Sequence, residues 1–190
     1  CRSFDKPHKP ATYMRWAESV PEGFRFAVKV PKEVTHTRRL VGAGDVLERF
    51  LREATALGAT LGPLLVQIPP SLAFSVIVAE RVVEDLRDRF DGHVAFEPRL
   101  ASCFETRSDK LVAKYRVARV AADPAVVAPA AEPGGWDGLA YYRLHGSPRV
   151  YYSDYLSDDL DAVAEKLSAA AAQSTAVWCI FDNTAAGAAT

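Results

Sequence analysis

The sequence lacks the features that define several classes of protein. Only 3 of its 190 residues are cysteine, an odd number without a CxxC pair, which disfavours a disulfide scaffold or a zinc knuckle. No apolar run reaches the roughly 18–20 residues that a membrane-spanning helix needs. Neither sign of charge is in excess, since 23 Lys and Arg face 24 Asp and Glu. This balance disfavours nucleic-acid and anionic-membrane partners.

The composition is that of an ordinary globular protein. Hydrophobic residues make up 49% of the chain and charged residues 25%, which is enough apolar surface for a full core at this length. We therefore expect a single domain over residues 1–190. Reduced thiols at Cys1, Cys103 and Cys179 would be typical of a cytoplasmic protein.

Short apolar runs alternate with helical patterns along the chain. The strand-like runs are rich in Val, Ile and aromatic residues and cover 24–30, 64–68, 93–97, 117–122, 139–144 and 176–181. The helical patterns cover 11–19, 45–57, 75–90, 108–115 and 157–172. Strands joined by helical crossovers predict a parallel α/β sheet, either open and doubly wound or closed into a barrel. No GxGxxG or GxxxxGK[ST] motif follows a strand, which disfavours the nucleotide-binding versions.

One connection interrupts this alternation. Residues 123–138 contain three Pro and three Gly and are not expected to form a stable helix. A loop of this length in a compact domain is either a lid or binding loop or a surface excursion without function.

Polar or ionisable residues stand at or just beyond the end of every predicted strand. Parallel strands direct their carboxyl ends to one face, where ligands bind in open α/β sheets and in barrels alike. His36, a few residues beyond the first strand, is expected near the same face. The strand-end candidates are Lys29, Gln67, Glu97, Arg99, Asp123, Arg143, His145, Asp182 and Asn183.

Several of these residues also have a purely structural interpretation. Glu97 and Arg99 could form an ion pair that ties a strand to its loop, and His145 could be a buried imidazole with a fixed tautomer. Lys29, inside an apolar run, could extend its ammonium group to solvent at the rim.

Several motifs, in order along the chain, resemble the YecE-like family, domain of unknown function 72. The first two are Phe-Arg-Phe-Ala-Val-Lys-Val-Pro at 24–31 followed by Thr-His, and the stretch 61–71 that contains Gln-Ile-Pro-Pro-Ser. The others are Glu-Pro-Arg at 97–99, Tyr-Arg-Leu-His-Gly at 142–146, the tyrosines at 151–155, and Phe-Asp-Asn at 181–183 with Gly187. The resemblance implies a TIM-barrel-like (β/α) fold.

The resemblance also implies that the family barrel extends beyond this chain. Family members carry two further strands before the segment that resembles Cys1–Phe4, and their last helix continues past Thr190. We therefore expect about six strands here. The chain departs from the family pattern at Pro98, Leu100, Cys103 and Asp182, where the family has Phe, His, Trp and Asn.

The first functional hypothesis is an enzyme that acts on a small phosphorylated or carboxylated substrate. Lys29, Arg99 and Arg143 would hold the anion through charge-assisted bonds. The catalytic candidates are Glu97 as acid or base, His145 as the second proton carrier, and Lys29. The remaining substrate-binding candidates are Gln67, Asp123, Asp182, Asn183 and His36.

Two other functions remain open. The same cations would serve a non-catalytic ligand-binding or regulatory module equally well. Hard ligands at Glu97, Asp123, His145 and Asp182 would suit a metal-dependent hydrolase, although no close-spaced ligand motif predicts a metal. The sequence identifies no cofactor.

Overall fold

The helices follow the predicted pattern. The computed structural model describes residues 2–6, 8–73, 75–173 and 176–189. Within them, every predicted helix is present, with bounds within about three residues of those expected. The α-helices of the described chain are α1 (Pro10–Glu18), α2 (Gly44–Ala54), α3 (Val76–Arg87), α4 (Thr106–Lys114) and α5 (Ser157–Ala171).

Each predicted apolar run contains a strand, but the expected count of about six is wrong. The run 117–122 is divided at Val120 because its two parts pair with different strands, and the Gly-rich loop adds a short strand. The described residues form eight strands: β1 (Phe26–Lys29), β2 (Leu61–Gln67), β3 (Val94–Glu97), β4 (Val117–Arg119), β5 (Ala121–Asp123), β6 (Gly134–Gly135), β7 (Ala140–Leu144) and β8 (Val177–Phe181).

The chain divides into two compact units, Cys1–Arg99 and Leu100–Thr190. In the first unit, β1, β2 and β3 form parallel pairs in that order. The apolar stripe of α2 predicted from its helical spacing is buried, because an amphipathic helix gains most of its stability by removing that stripe from water. This packing holds the parallel strands so that their carboxyl ends share one edge.

In the second unit, β5, β7 and β8 form another set of parallel strands. One face of this set carries Ala121, Ala140 and Tyr142, which pack against Leu167 and Ala170 of α5. Strands β4 and β6 are antiparallel, so the expectation of parallel pairing throughout is wrong at this point. The antiparallel pairing arises because the loop after β5 turns back beside β4.

The loop 123–138 is ordered by a buried arginine that sequence reasoning did not single out. Arg119 is 5% exposed. Its Nε and Nη2 donate to the two carboxylate oxygens of Asp109 at 2.7 and 3.2 Å, and its Nη1 donates to the carbonyls of Pro129 and Glu132 at 2.9 and 3.1 Å. A Cβ atom at Gly134 would overlap the guanidinium group, which explains the glycine at this close approach. The loop has no α-helix, as predicted, but it is not structureless, since it contains a short 3₁₀ helix and β6.

The structure confirms the predicted α/β class but not the closed barrel. The protein is a mixed α/β protein with parallel strands and covering helices. Among the residues described here, no sheet closes on itself, so a closed barrel is not confirmed. The assignment of residues 1–190 to a single domain stays a prediction. No helix in the described ranges has the length and apolarity needed to cross a bilayer.

Candidate functional site

The first group of predicted site residues lies at the carboxyl ends of β1, β2 and β3. Lys29 is in register with Leu65, and Gln67 is in register with Glu97. Side chains two residues apart in a strand point to the same face, and residues in register across parallel strands do so too. Lys29, Gln67 and Glu97 therefore share one face of these strands.

Glu97 forms the ion pair that the sequence suggested. Its side chain is 1% exposed, and its Oε1 lies 2.6 Å from Nη2 of Arg99, which is 20% exposed. Burying a carboxylate without a partner is costly, so a close guanidinium is the expected neighbour. The ion pair fixes the Glu97 carboxylate at the end of β3, and Arg99 is the partly exposed member of the pair.

Lys29 and His36 meet on the ring of Phe4. The Lys29 ammonium lies 3.7 Å from the ring centroid, and the His36 imidazole packs edge-on at 5.1 Å. A short π-helix, Glu33–Thr37, follows β1 and brings His36 to this end. His36 thus lies near the carboxyl end of β1, while its role in a site stays a prediction.

Two lysines lie near His36. Burial lowers the pKa of His36, and the charges of Lys29 and Lys32 lower it further. Both lysines act in the same direction because a like charge disfavours the protonated imidazole. One of the two, Lys32, also forms an ion pair with Asp5 at 3.1 Å.

We expect stability to fall as the pH drops from 7.5 to 5.5. Burial also lowers the pKa of His93, with a further contribution from Arg87. Since His36 and His93 bind protons less readily in the folded state than in the unfolded chain, whose histidines titrate near about 6.5, acid favours unfolding. Urea unfolding across this range should show the loss, and the double variant His36→Gln/His93→Gln should flatten it. An unchanged slope in the double variant would assign the loss to other groups.

The second group lies at the carboxyl ends of β7 and β8. Asp182 Oδ2 lies 2.5 Å from Arg143 Nη2 and 3.1 Å from His145 Nδ1. Because a carboxylate only accepts hydrogen bonds, the contact places the proton of a neutral His145 on Nδ1 and leaves Nε2 as the basic nitrogen. Side-chain exposure is 7% for Arg143, 1% for His145 and 34% for Asp182. The structure brings these three predicted residues together.

The segment after β7 folds back over this group. Gly146 has φ +88°, and a Cβ atom there would lie 2.8 Å from the Ser153 carbonyl oxygen, so a glycine is required after His145. Asn183, 1% exposed, donates from Nδ2 to the same carbonyl at 2.9 Å. Its Oδ1 is buried and has no hydrogen-bond partner among the described residues. Asn183 thus anchors the segment beside Asp182.

Asp123 lies elsewhere in the second unit. Its carboxylate accepts a 2.6 Å hydrogen bond from the Tyr155 hydroxyl, which in turn accepts one from the Gly146 amide at 2.9 Å. Asp123 shares the face of Ala121, which packs towards α5, whereas Arg143 alternates to the opposite face. The structure therefore does not bring the Asp123 side chain to Arg143 and Asp182.

Two further observations concern metals and thiols. In ranges 2–6, 8–73, 75–173 and 176–189, no three His, Cys, Asp or Glu side chains are grouped so that they could hold a metal ion.

Cys179 is a free thiol, and burial raises its pKa, which makes it a poor nucleophile. Cys1 lies outside the described residues.

These features define an α/β protein with ionisable groups at the carboxyl ends of its parallel strands. The family model described as "Protein of unknown function DUF72" matches residues 2–190. The chain therefore belongs to the DUF72 family, which confirms the resemblance to the YecE-like family.

A curated relative and solved structures agree with this assignment. The UPF0759 protein YecE of Escherichia coli is 31% identical over 61 residues, which are 32% of this chain and 22% of that protein. The alignment thus spans about a fifth of the length of this relative. A crystal structure of a DUF72 family protein from Enterococcus faecalis matches with a TM-score of 0.83 and 20% identity over 98% of this chain and 82% of that chain. A crystal structure of a DUF72 family protein from Thermotoga maritima matches with a TM-score of 0.76 and 21% identity over 94% of this chain and 74% of that chain. At these identities the structures show the fold alone.

Proposed function

We propose that the protein is an enzyme that performs acid/base chemistry on a small phosphorylated or carboxylated substrate. The observation that carries the proposal is the contact of Asp182 with both Arg143 and His145. A carboxylate that orients an imidazole and stabilises its protonated form is the arrangement that activates histidine as a general base. The proposed proton carriers are His145 and Glu97.

The anionic character of the substrate follows from the first group. Lys29 ends β1, and Arg99 is partly exposed beside Glu97. Ammonium and guanidinium groups make strong charge-assisted hydrogen bonds to phosphate and carboxylate oxygens. Lys29, Arg99 and Arg143 are the proposed anion-binding residues, with Gln67 and His36 at the same strand ends as Lys29.

A TIM-barrel-like (β/α) fold is part of this proposal. Its support is the alternation of strands and helices and the parallel register within each unit. Enzymes with this fold carry their active sites at the carboxyl ends of the strands. A cytoplasmic location is also proposed, because the free thiol of Cys179 is typical of a reducing compartment.

The anion-binding part of the proposal is tested with inorganic phosphate by isothermal titration calorimetry. We expect Lys29→Met to weaken binding by about 10- to 100-fold, since the loss of a charge-assisted bond costs roughly 1.5–3 kcal/mol. The matched control is Lys9→Met, which removes an exposed lysine just before α1. Equal phosphate affinity in both variants would remove Lys29 from the site.

The catalytic part is tested by screening phosphorylated and carboxylated metabolites for product formation by ³¹P and ¹H NMR. For a compound that the wild-type protein converts, His145→Asn and Glu97→Gln should each reduce turnover by about 10²–10⁴-fold while the compound still binds. A compound that binds in a Lys29-dependent manner and is never converted would instead favour a non-catalytic ligand-binding module.

A further inference from the structure

The segment after β7 carries an exposed tyrosine in a strained conformation beside His145. Tyr151 has φ +71°, a left-handed conformation that is an outlier for a bulky residue. Its amide donates to the His145 carbonyl at 2.5 Å, and its own carbonyl accepts from the Ala185 amide at 3.1 Å. The backbone is thus held on both sides in a conformation that tyrosine itself disfavours.

Burial of the Tyr151 side chain does not explain this strained conformation. The residue is 42% exposed, although its ring packs edge-on to the His145 imidazole with the centroids 5.7 Å apart. A core aromatic would remove its ring from water, and a residue chosen for the turn would be Gly or Asn. The geometry therefore presents an aromatic surface to solvent next to the Asp182–His145 pair.

Aromatic surface and carboxylate together define a type of ligand. The C–H groups on one face of a sugar ring pack against an aromatic side chain, and its hydroxyl groups donate to carboxylate oxygens. Asp182 is 34% exposed in its side chain and contacts the same His145 imidazole that the Tyr151 ring packs against. A planar aromatic ligand such as phenyl phosphate would also stack on the ring, but its phenyl group carries no hydroxyl donor for the carboxylate.

We propose that Tyr151 is a substrate-binding residue that packs against the sugar ring of a phosphorylated sugar. The inference rests on the proposed function, in which Arg143 beside Asp182 binds the phosphate, and it narrows the substrate class to sugar phosphates. The role of Tyr151 is specificity, because its ring distinguishes a sugar phosphate from a bare phosphate ion.

The test compares the affinities of glucose 6-phosphate, ribose 5-phosphate, phenyl phosphate and inorganic phosphate by calorimetry. Wild-type protein should bind at least one sugar phosphate roughly five- to tenfold more tightly than inorganic phosphate, in line with an aromatic contact. Tyr151→Gly should abolish this advantage and leave inorganic phosphate affinity unchanged. It should also leave the melting temperature unchanged or raise it, since glycine relieves the strain at φ +71°.

Tyr152→Gly is the matched control, because Tyr152 is 45% exposed and packs on the Arg149 guanidinium instead of His145. It should retain the sugar phosphate advantage. If Tyr151→Gly keeps the advantage, or melts at a lower temperature with no change in affinity, Tyr151 is structural and the inference is wrong. An equal, Tyr151-dependent gain for phenyl phosphate would overturn the sugar assignment. Binding of inorganic phosphate without a sugar phosphate advantage refutes only this inference, whereas no Lys29-dependent binding of any phosphate refutes the proposed function.

Discussion

Arg119→Met is expected to lower the free energy of unfolding by about 2–4 kcal/mol, because two loop carbonyls and the partly exposed Asp109 carboxylate lose their buried donor. Arg119 donates to both oxygens of Asp109 and to two carbonyls of the loop 123–138. The variant leaves the Asp109 carboxylate and the carbonyls of Pro129 and Glu132 without their donor. Urea unfolding monitored by circular dichroism measures the loss.

A surface ion pair in the same unit serves as the control. Arg107 and Glu105 are joined at 2.8 Å, but their side chains are 64% and 50% exposed. Arg107→Gln should therefore change stability by less than about 1 kcal/mol. The double variant Arg119→Met/Asp109→Leu should recover part of the loss, because it leaves no uncompensated carboxylate. A loss in Arg119→Met as small as that in Arg107→Gln would show that Arg119 does not order the loop.

Tyr155→Phe is expected to cost about 1–3 kcal/mol, because the Asp123 carboxylate and the Gly146 amide both lose a hydrogen-bond partner. The Tyr155 hydroxyl connects them at 2.6 and 2.9 Å. Burial and the neighbouring Asp123 raise the pKa of Tyr155, so the hydroxyl keeps its proton and remains a donor. Thermal unfolding and the hydrogen-exchange rate of the Gly146 amide should both report the change.

Tyr152→Phe removes a hydroxyl from an exposed tyrosine in the same segment, and it should change the melting temperature by less than about 1 °C. Faster exchange of Gly146 in Tyr155→Phe alone would confirm that this hydroxyl holds the start of the segment. If both variants behave like the wild type, the segment is held by its other contacts.

The first candidate group was predictable because it depends on strand position. Lys29, Gln67 and Glu97 stand at the ends of apolar runs, and strand periodicity with parallel pairing is sufficient to place them at one edge. Arg143, His145 and Asp182 were predictable in the same way, as polar residues at or just beyond the ends of apolar runs. Their contact through one carboxylate oxygen was not predictable, because it depends on the register of β7 with β8.

Asp123 shows where the argument from strand ends fails. It does end a strand, but alternation along β5 turns its side chain towards α5, where Tyr155 binds it. Position at a strand end determines which edge a residue occupies, whereas the register determines which face it points to. A shift of one residue in the register of β5 would have turned the Asp123 side chain to the opposite face, where Arg143 lies.

Arg119 and Tyr151 were missed for a related reason. Arg119 stands in the middle of the apolar run 117–122, and the structure buries it. A charged residue inside such a run was the sequence signal that a specific partner is needed. Tyr151 was noted as part of a motif, but no sequence rule assigns a positive φ to a tyrosine. The hydrogen-bond partners of Arg119 lie ten or more residues away along the chain, and the conformation of Tyr151 depends on the turn that contains it.

By itself, the amino-acid sequence determined the α/β class, the order of helices and strands, and which polar residues lie at strand ends, because these depend on local periodicity and composition. Only the tertiary structure decided the splitting of the run 117–122, the clamp around Arg119 and the separation of Asp123 from Asp182. These features depend on which backbone groups pair across long sequence separations and on which buried charges find partners, and both are determined only when the chain is packed.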